Sequence, residues 1–199
     1  MKVVLFGAGG RTGGRIAAAL LKQGHEVVSV VRPGSTAKMQ GDRAEVDLGV
    51  AAQVRAVAQG VDAVVSALAS GKGNPACSRV AEALLTMDGL RFVTVGGAGV
   101  DAPGDAKGLP DRMIGAIMRL TVGEMLADRQ REHDLLQGSG LKWTMLRAPR
   151  LTEKPGTEMW RVTDDKPAAT QISRDDLAAA VVAMLGDAAT HGRAPFVSA

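Results

Sequence analysis

Gly7-Ala8-Gly9-Gly10-Arg11-Thr12-Gly13 is the stretch of this chain best suited to chemistry. It follows an apolar run, Val3-Val4-Leu5-Phe6, and opens a helical pattern through Ile16, Leu20 and Leu21. Glycines between a strand and a helix let backbone amides face outward at a helix N-terminus, where donors are unpaired and the dipole is positive. Such a turn cradles phosphate. Three spaced glycines are a weak signal by themselves, because 25 of the 199 residues are glycine. Their position directly after the first strand gives them weight. The expected ligand is a dinucleotide, with its pyrophosphate against Gly7, Gly9, Gly10, Arg11, Thr12 and Gly13.

Ligands of an open parallel sheet bind beyond the carboxyl ends of the strands. Functional residues are therefore expected in loops 7–13, 32–38, 47–48, 66–74, 96–104 and 147–160. The end of the second strand selects the dinucleotide. A carboxylate there would hold ribose hydroxyls and repel a 2′-phosphate, whereas Arg32 offers a guanidinium that pairs with one. Arg11 is expected to point into the same region, and Ser35 and Lys38 add donors. NADPH is thus expected over NADH; the plainer alternative makes Arg32 a solvated strand-end charge. Asp47 fits two roles. It accepts from an adenine amino group with Leu48 against the base, or it caps the next helix. Ala67, Leu68 and Ala69, between Ser66 and Ser70, are expected beside the middle of the cofactor, and Gly96 and Gly97 beyond the fifth strand.

These loops need strands and helices to hold them. Strands are expected at Lys2–Phe6, Glu26–Val31, Ala44–Val46, Ala63–Val65, Arg91–Val95 and Lys142–Leu146, with a last one at Ala194–Ser198 and a short one near Glu158–Val162. Helices are expected at Arg11–Lys22, Val50–Gln59, Asn74–Met87 and Met113–Gln137, the last as one helix or two joined. Gly24 is read as a C′ residue, Asn74 as an N-cap with Pro75 at the first helical position, and Ser173-Arg174-Asp175-Asp176 as a capping box opening a final helix. Uniformly apolar strands alternating with helices mean a parallel sheet buried on both faces. The fold class is α/β with a doubly wound parallel sheet. It is a single domain over 1–199, with 148–172 as an irregular segment on the substrate side.

Composition narrows the partners. The formal charge is +3 and the basic residues are scattered, which does not favour nucleic acid. No apolar run reaches membrane-spanning length. Cys77 is the only cysteine, which rules out an internal disulfide and fits a reducing cytoplasm. A small-molecule acceptor is the expected partner, no metal is expected, and the chain is expected as a monomer or small homo-oligomer.

The glycine turn, Arg32, Asp47-Leu48, Ser139-Gly140-Leu141-Lys142-Trp143, Arg147-Ala148-Pro149 and Ile172-Ser173-Arg174-Asp175-Asp176-Leu177-Ala178 carry a resemblance. The chain resembles atypical short-chain dehydrogenases, in the NAD(P)H-binding group with biliverdin-IXβ reductase/flavin reductase and NmrA-like proteins. The resemblance implies a Rossmann domain, NADPH binding and, as in the reductases, hydride delivery to flavins or other conjugated acceptors. Two departures stand out. Typical members use a Tyr-x-x-x-Lys pair, and this chain has no tyrosine. The reductases carry a serine after the fifth strand, where this chain has Gly97.

His133 is then the candidate acid, since its pKa class suits neutral pH and the resemblance places a histidine at this helix position; the plainer alternative is a packing histidine. Arg147 and Arg150 could hold an acidic substrate, although Arg150 reads equally as a surface charge. Met113-Ile114-Gly115-Ala116-Ile117-Met118, with Met159-Trp160, could line an apolar pocket or simply be core. Two functions follow: an NADPH-dependent reductase of a flat conjugated acceptor, or a non-catalytic NmrA-like redox sensor. A weaker third, an epimerase, is opposed by the short C-terminal part.

Overall fold

Val3, Val4, Leu5 and Phe6 are all fully buried, which a strand achieves only when both faces of its sheet are covered. Alternate side chains serve opposite layers. Val3 and Leu5 pack with Ile16, Leu20, Leu177 and Val181. Val4 and Phe6 pack with Val54, Val80, Leu84 and Leu136. Burying a Leu or Ile of this kind contributes about 1.5–3 kcal/mol.

The computed structural model describes the backbone of residues 1–106 and 109–199, and side chains at 1–106 and 123–199. The chain runs β1 (Lys2–Phe6), α1 (Arg11–Lys22), β2 (Glu26–Val31), β3 (Asp42–Glu45), α2 (Ala51–Ala58), β4 (Ala63–Ser66), α3 (Ala76–Leu84) and β5 (Arg91–Gly97). It continues with α4 (Leu109–Gln137), β6 (Lys142–Ala148), β7 (Arg150–Thr152), β8 (Arg161–Thr163), β9 (Gln171–Ser173), α5 (Arg174–Leu185) and β10 (Phe196–Ser198). The main sheet has the order β3-β2-β1-β4-β5-β6-β10-β8. Its pairings are parallel except β8 against β10. The α1 and α5 helices cover one face, and α2, α3 and α4 the other. Chain direction across the sheet reverses between β1 and β4, so the glycine turn leaves β1 at the switch point where such sheets open a crevice.

The expected α/β doubly wound sheet is the fold observed. Local differences have local causes. The third strand lies at Asp42–Glu45 instead of Ala44–Val46, because this edge strand takes its register from β2, with Val28 opposite Asp42 and Val31 opposite Glu45. The third helix begins at Ala76, and Asn74 is not its cap: Asn74 Oδ1 accepts from Arg79 at 3.2 Å. The cap comes from α4 instead. The Asp128 carboxylate accepts from the amides of Cys77 and Ser78 and from the hydroxyls of Ser70 and Ser78. Segment 148–172 is less irregular than expected. It holds β7, which pairs with β9, and β8, which closes the sheet edge at 161–163. Ser173 does cap α5, accepting from Asp176 N at 2.9 Å. The Asp176 carboxylate does not complete a box; it takes the amides of Thr157 and Glu158.

The glycines of the turn have separate causes. Gly7 has φ +82°, and a Cβ there would meet the Ala67 carbonyl carbon at 2.7 Å. A Cβ at Gly13 would overlap the Gly7 carbonyl, whose carbon lies 2.7 Å away. These two let strand, turn and helix close on one another. Gly97 differs, since a Cβ there meets nothing within 4 Å. Gly13→Ala should therefore cost about 3 kcal/mol in urea unfolding, while Gly97→Ala should stay within about 1 kcal/mol of the parent. Equal costs would contradict this reading.

Candidate functional site

Two cavities flank the glycine turn. The first, about 360 Å³, lies beyond β1, β2 and β3 and is lined by Gly7, Gly9, Arg32, Ser35, Met39 and Leu48, among others. The second, about 390 Å³, lies between the turn, the ends of β4 and β5, and α4. Thr12, Ala67, Gly96, Gly97, Met125, Arg129 and Arg174 are part of its wall. Gly10, Leu68 and Ala69 border both, so the cleft continues across the turn. Each volume is in the range of a ligand site. Among the described residues, no carboxylate lines either cavity.

The turn between them is built for an anion. Gly10 is the N-cap of α1, no side chain caps the helix, and its first turn holds no acidic residue. Gly9 and Gly10 are exposed at the cleft. A pyrophosphate fits here, because backbone donors and the positive helix end face the open space.

Loop 32–38 is held from the sheet edge. Glu45 accepts from Gly34 N at 3.1 Å and pairs with Arg43 at 2.9 Å. Arg43 also donates to the carbonyls of Ser35 and Ala37. The Arg43 hydrogen bond holds the Glu45 carboxyl below its usual pKa. At the mouth of the second cavity, Glu153 joins Arg11 at 3.1 Å, Arg15 at 2.9 Å and Arg174 at 2.8 Å. Arg174 also donates to Thr12 Oγ1 at 2.7 Å. The Arg174 hydrogen bond leads the effects that lower the Glu153 pKa.

From the cavity wall at Arg129 the same α4 face runs inward through Glu132, His133 and Leu136, none of which lines the cavity. Their i, i+3, i+4, i+7 spacing turns all four inward, and all are buried. Arg129 Nη1 pairs with Glu132 at 2.6 Å and approaches Thr94 Oγ1 at 3.3 Å, while Nη2 donates to Leu68 O. Thr94 donates to Glu132 at 2.8 Å. Burial opposes the Arg129 charge, but the negative groups around it, Glu132 foremost, together outweigh burial and hold the guanidinium pKa above its usual value. Sequence reasoning missed this face, along with Glu153 and Arg174. The helical spacing was the available signal, hidden because the stripe is charged where a hydrophobic stripe is sought.

The remaining expected residues are distributed as follows. Arg32, Ser35 and Leu48 line the first cavity; Lys38 does not. Asp47 does not line it either, and its Oδ1 accepts from Gly49 N at 2.8 Å. Arg11 lies with Glu153 at the second cavity, away from the Arg32 region where it was expected. His133 does not reach the cleft. It is 2% exposed and packs edge-on against Trp143, with ring centroids 5.8 Å apart. Arg147 is corrected from substrate contact to a core tie. It is 1% exposed, stacks on Phe196 at 3.7 Å and pairs with Asp105 at 2.7 Å. The period-2 pattern of β6 explains this, since Arg147 shares the face of Trp143 and Met145. Arg150 is a surface residue bonded to Gln171 at 2.7 Å. Met118 and the rest of 113–118 lie outside the described side chains. Met159 is exposed and away from both cavities, and Trp160 packs on the core.

The sequence matches the model of a family described as NAD(P)H-binding over residues 7–188, and the chain belongs to that family. A curated relative from Bacillus subtilis (strain 168), named "Uncharacterized sugar epimerase YhfK", is 28% identical over 216 residues, covering 98% of this chain and 92% of its own. ChuY, an anaerobillin reductase from Escherichia coli O157:H7, superposes with a TM-score of 0.81 at 19% identity, over 100% of this chain and 97% of its own. SP1627 from Streptococcus pneumoniae TIGR4, titled "a putative NADH-flavin reductase", superposes at 0.79 with 22% identity, over 100% and 99%. These likenesses establish a shared Rossmann-like fold. No helix among the described residues is long and apolar enough to cross a membrane.

Burial lowers the His133 pKa below its ordinary value of 6.5, against the opposing effect of Asp134. In the unfolded chain His133 takes up a proton near that ordinary value, and in the folded chain only at lower pH. Its contribution is therefore intact above about pH 6.5 and is lost as pH falls towards the folded pKa. His133→Gln should flatten the fall in urea midpoint between pH 7 and 5. An unchanged slope would contradict the placement of His133 in the core.

Proposed function

We propose that this chain is an NADPH-dependent reductase that delivers hydride to a flat conjugated acceptor, a flavin or a quinone, without a Tyr-Lys pair. The observation that carries this reading is the charge of the cleft. Arg32 borders one cavity and Arg11, Arg129 and Arg174 border the other, while the carboxylates that pair with the last three, Glu153 and Glu132, lie outside both linings among the described residues. Dinucleotides and reduced conjugated acceptors are both anionic, and a guanidinium meets such groups with paired hydrogen bonds. The reductase titles of ChuY and SP1627 agree with the reading.

Each part of the chain has a task in it. The turn amides hold the pyrophosphate, and Arg32 with Ser35 receives the 2′-phosphate. Leu48 packs on the adenine. Ala67, Leu68 and Ala69 follow the middle of the dinucleotide, and Gly96 and Gly97 leave room for flat rings. When bound, the nicotinamide supplies the hydride. Met125 walls the acceptor without offering a proton, so protons arrive from solvent through the mouth of the cavity.

A second reading, a non-catalytic sensor of the NmrA type, has its own observation. Thr12 carries the only hydroxyl lining the second cavity among the described residues, and Arg174 already donates to it. With His133 behind the wall, no acid-base side chain but the arginines lines the second cavity among the described residues. The same lack opposes an epimerase, which needs a proton relay.

Calorimetric titration should give tighter binding of NADPH than of NADH. Arg32→Ala should weaken NADPH by about 10–100-fold, the worth of charge-assisted hydrogen bonds, and leave NADH within about threefold. Equal parental affinities would remove the Arg32 argument. NADPH oxidation with FMN or a quinone separates the readings: turnover supports the reductase, and tight binding with no turnover on any such acceptor supports the sensor.

A further inference from the structure

Arg129 is the one buried charge on the wall of the second cavity among the described residues. Arg11 is exposed, and Arg174 is engaged by Glu153 and Thr12 at the rim. Arg129 is 8% exposed, and Glu132, fully buried, stands behind it. Of this ion pair only Arg129 lines the cavity; Glu132 does not. A guanidinium has five N–H donors. Three hydrogen bonds occupy Arg129, two from Nη1 and one from Nη2. Nε–H and one Nη2 hydrogen have no hydrogen-bond partner among the described residues. Apart from Arg11, Thr12 and Arg174, the wall is apolar or glycine, with Leu68, Val95, Gly97, Val100 and Met125 among it. A buried cation with spare donors beside a largely apolar wall is a site for one anionic or electron-rich oxygen.

We propose that Arg129 binds a carbonyl oxygen of the acceptor and takes the negative charge that arrives with the hydride. The proposal rests on the reductase reading for its catalytic part, though not for binding. It narrows the substrate class to neutral acceptors whose reducible atom is conjugated to a carbonyl, such as quinones and cyclic imides of the flavin type. The balance is simple. The hydride forms a bond to the electrophilic atom, the displaced π electron pair ends on the carbonyl oxygen, and the resulting anion takes a proton from water. The dinucleotide is the reductant and leaves oxidised. A cationic acceptor behaves oppositely: a phenothiazinium dye becomes neutral on accepting hydride, so Arg129 opposes its binding and gains nothing in its reduction.

The test uses binding and turnover on the full chain. Arg129→Gln alone leaves Glu132 buried without its partner and threatens folding. The double variant Arg129→Gln/Glu132→Gln removes both charges together and keeps amides in their place. With NADP⁺ present, so that no turnover occurs, calorimetry compares 2-hydroxy-1,4-naphthoquinone, an anion at neutral pH, with neutral 1,4-naphthoquinone. The double variant is expected to bind the anion at least tenfold more weakly, with NADP⁺ and the neutral quinone within about threefold. Hydride transfer from NADPH should fall at least a hundredfold for the quinone and hold or rise for the phenothiazinium dye. Undiminished affinity for the anion, or equal losses for quinone and dye, would overturn the proposal. Loss of anion affinity in a parent that reduces nothing would sink the reductase reading and leave the Arg129 binding site standing.

Discussion

The site depends on one steric constraint: α1 must start almost in contact with the end of β1. Gly7 and Gly13 permit this, since a side chain on either would collide with backbone. Their closeness brings an uncapped helix N-terminus to the place where the strand order reverses. Gly9 and Gly10 are left at the surface of the turn, where a ligand can approach the main chain as closely as its phosphates require.

The second organising element is α4. Its buried polar stripe links three parts of the molecule. Asp128 caps α3, Arg129 holds the Leu68 carbonyl in the loop after β4, and Glu132 holds Thr94 of β5. Four hydrogen bonds outweigh the burial that would otherwise raise the Asp128 pKa, so its carboxyl lies below the usual value. The helix thereby fixes the strand ends that border both cavities. A charged stripe in this position ties cleft geometry to electrostatics, because the residues that shape the wall also set its field.

Much of the frame was legible in the sequence, and the reasons are particular. Val3–Phe6 and Ala63–Val65 are apolar on both faces, and Glu26–Val31 nearly so apart from Glu26 and Ser29, a pattern that fits a central parallel strand. The period of Ile16, Leu20, Ala17 and Leu21 marked α1, and Gly24 ended it with φ +79°. Arg32 and Ser35 line the first cavity because position after a strand determines which loop a residue occupies. What failed depended on partners distant in sequence. Nothing near Arg147 announces Phe196 or Asp105, nothing near Asn74 announces Asp128, and Arg11 is drawn to Glu153, 142 residues away. The strands β7 and β9 have three residues each and hold together only as a pair. Such features belong to the assembled fold and leave little local trace.

The central claim is that one cleft astride the glycine turn holds NADPH, with its 2′-phosphate at Arg32. Amide hydrogen exchange, followed with saturating NADPH and then NADH, tests it most directly. The account predicts that both dinucleotides slow exchange at Gly9–Gly13 and at residues 67–70, and that NADPH alone slows it at Gly34 and Ser35. Unchanged exchange at Gly9–Gly13 with NADPH bound would contradict it.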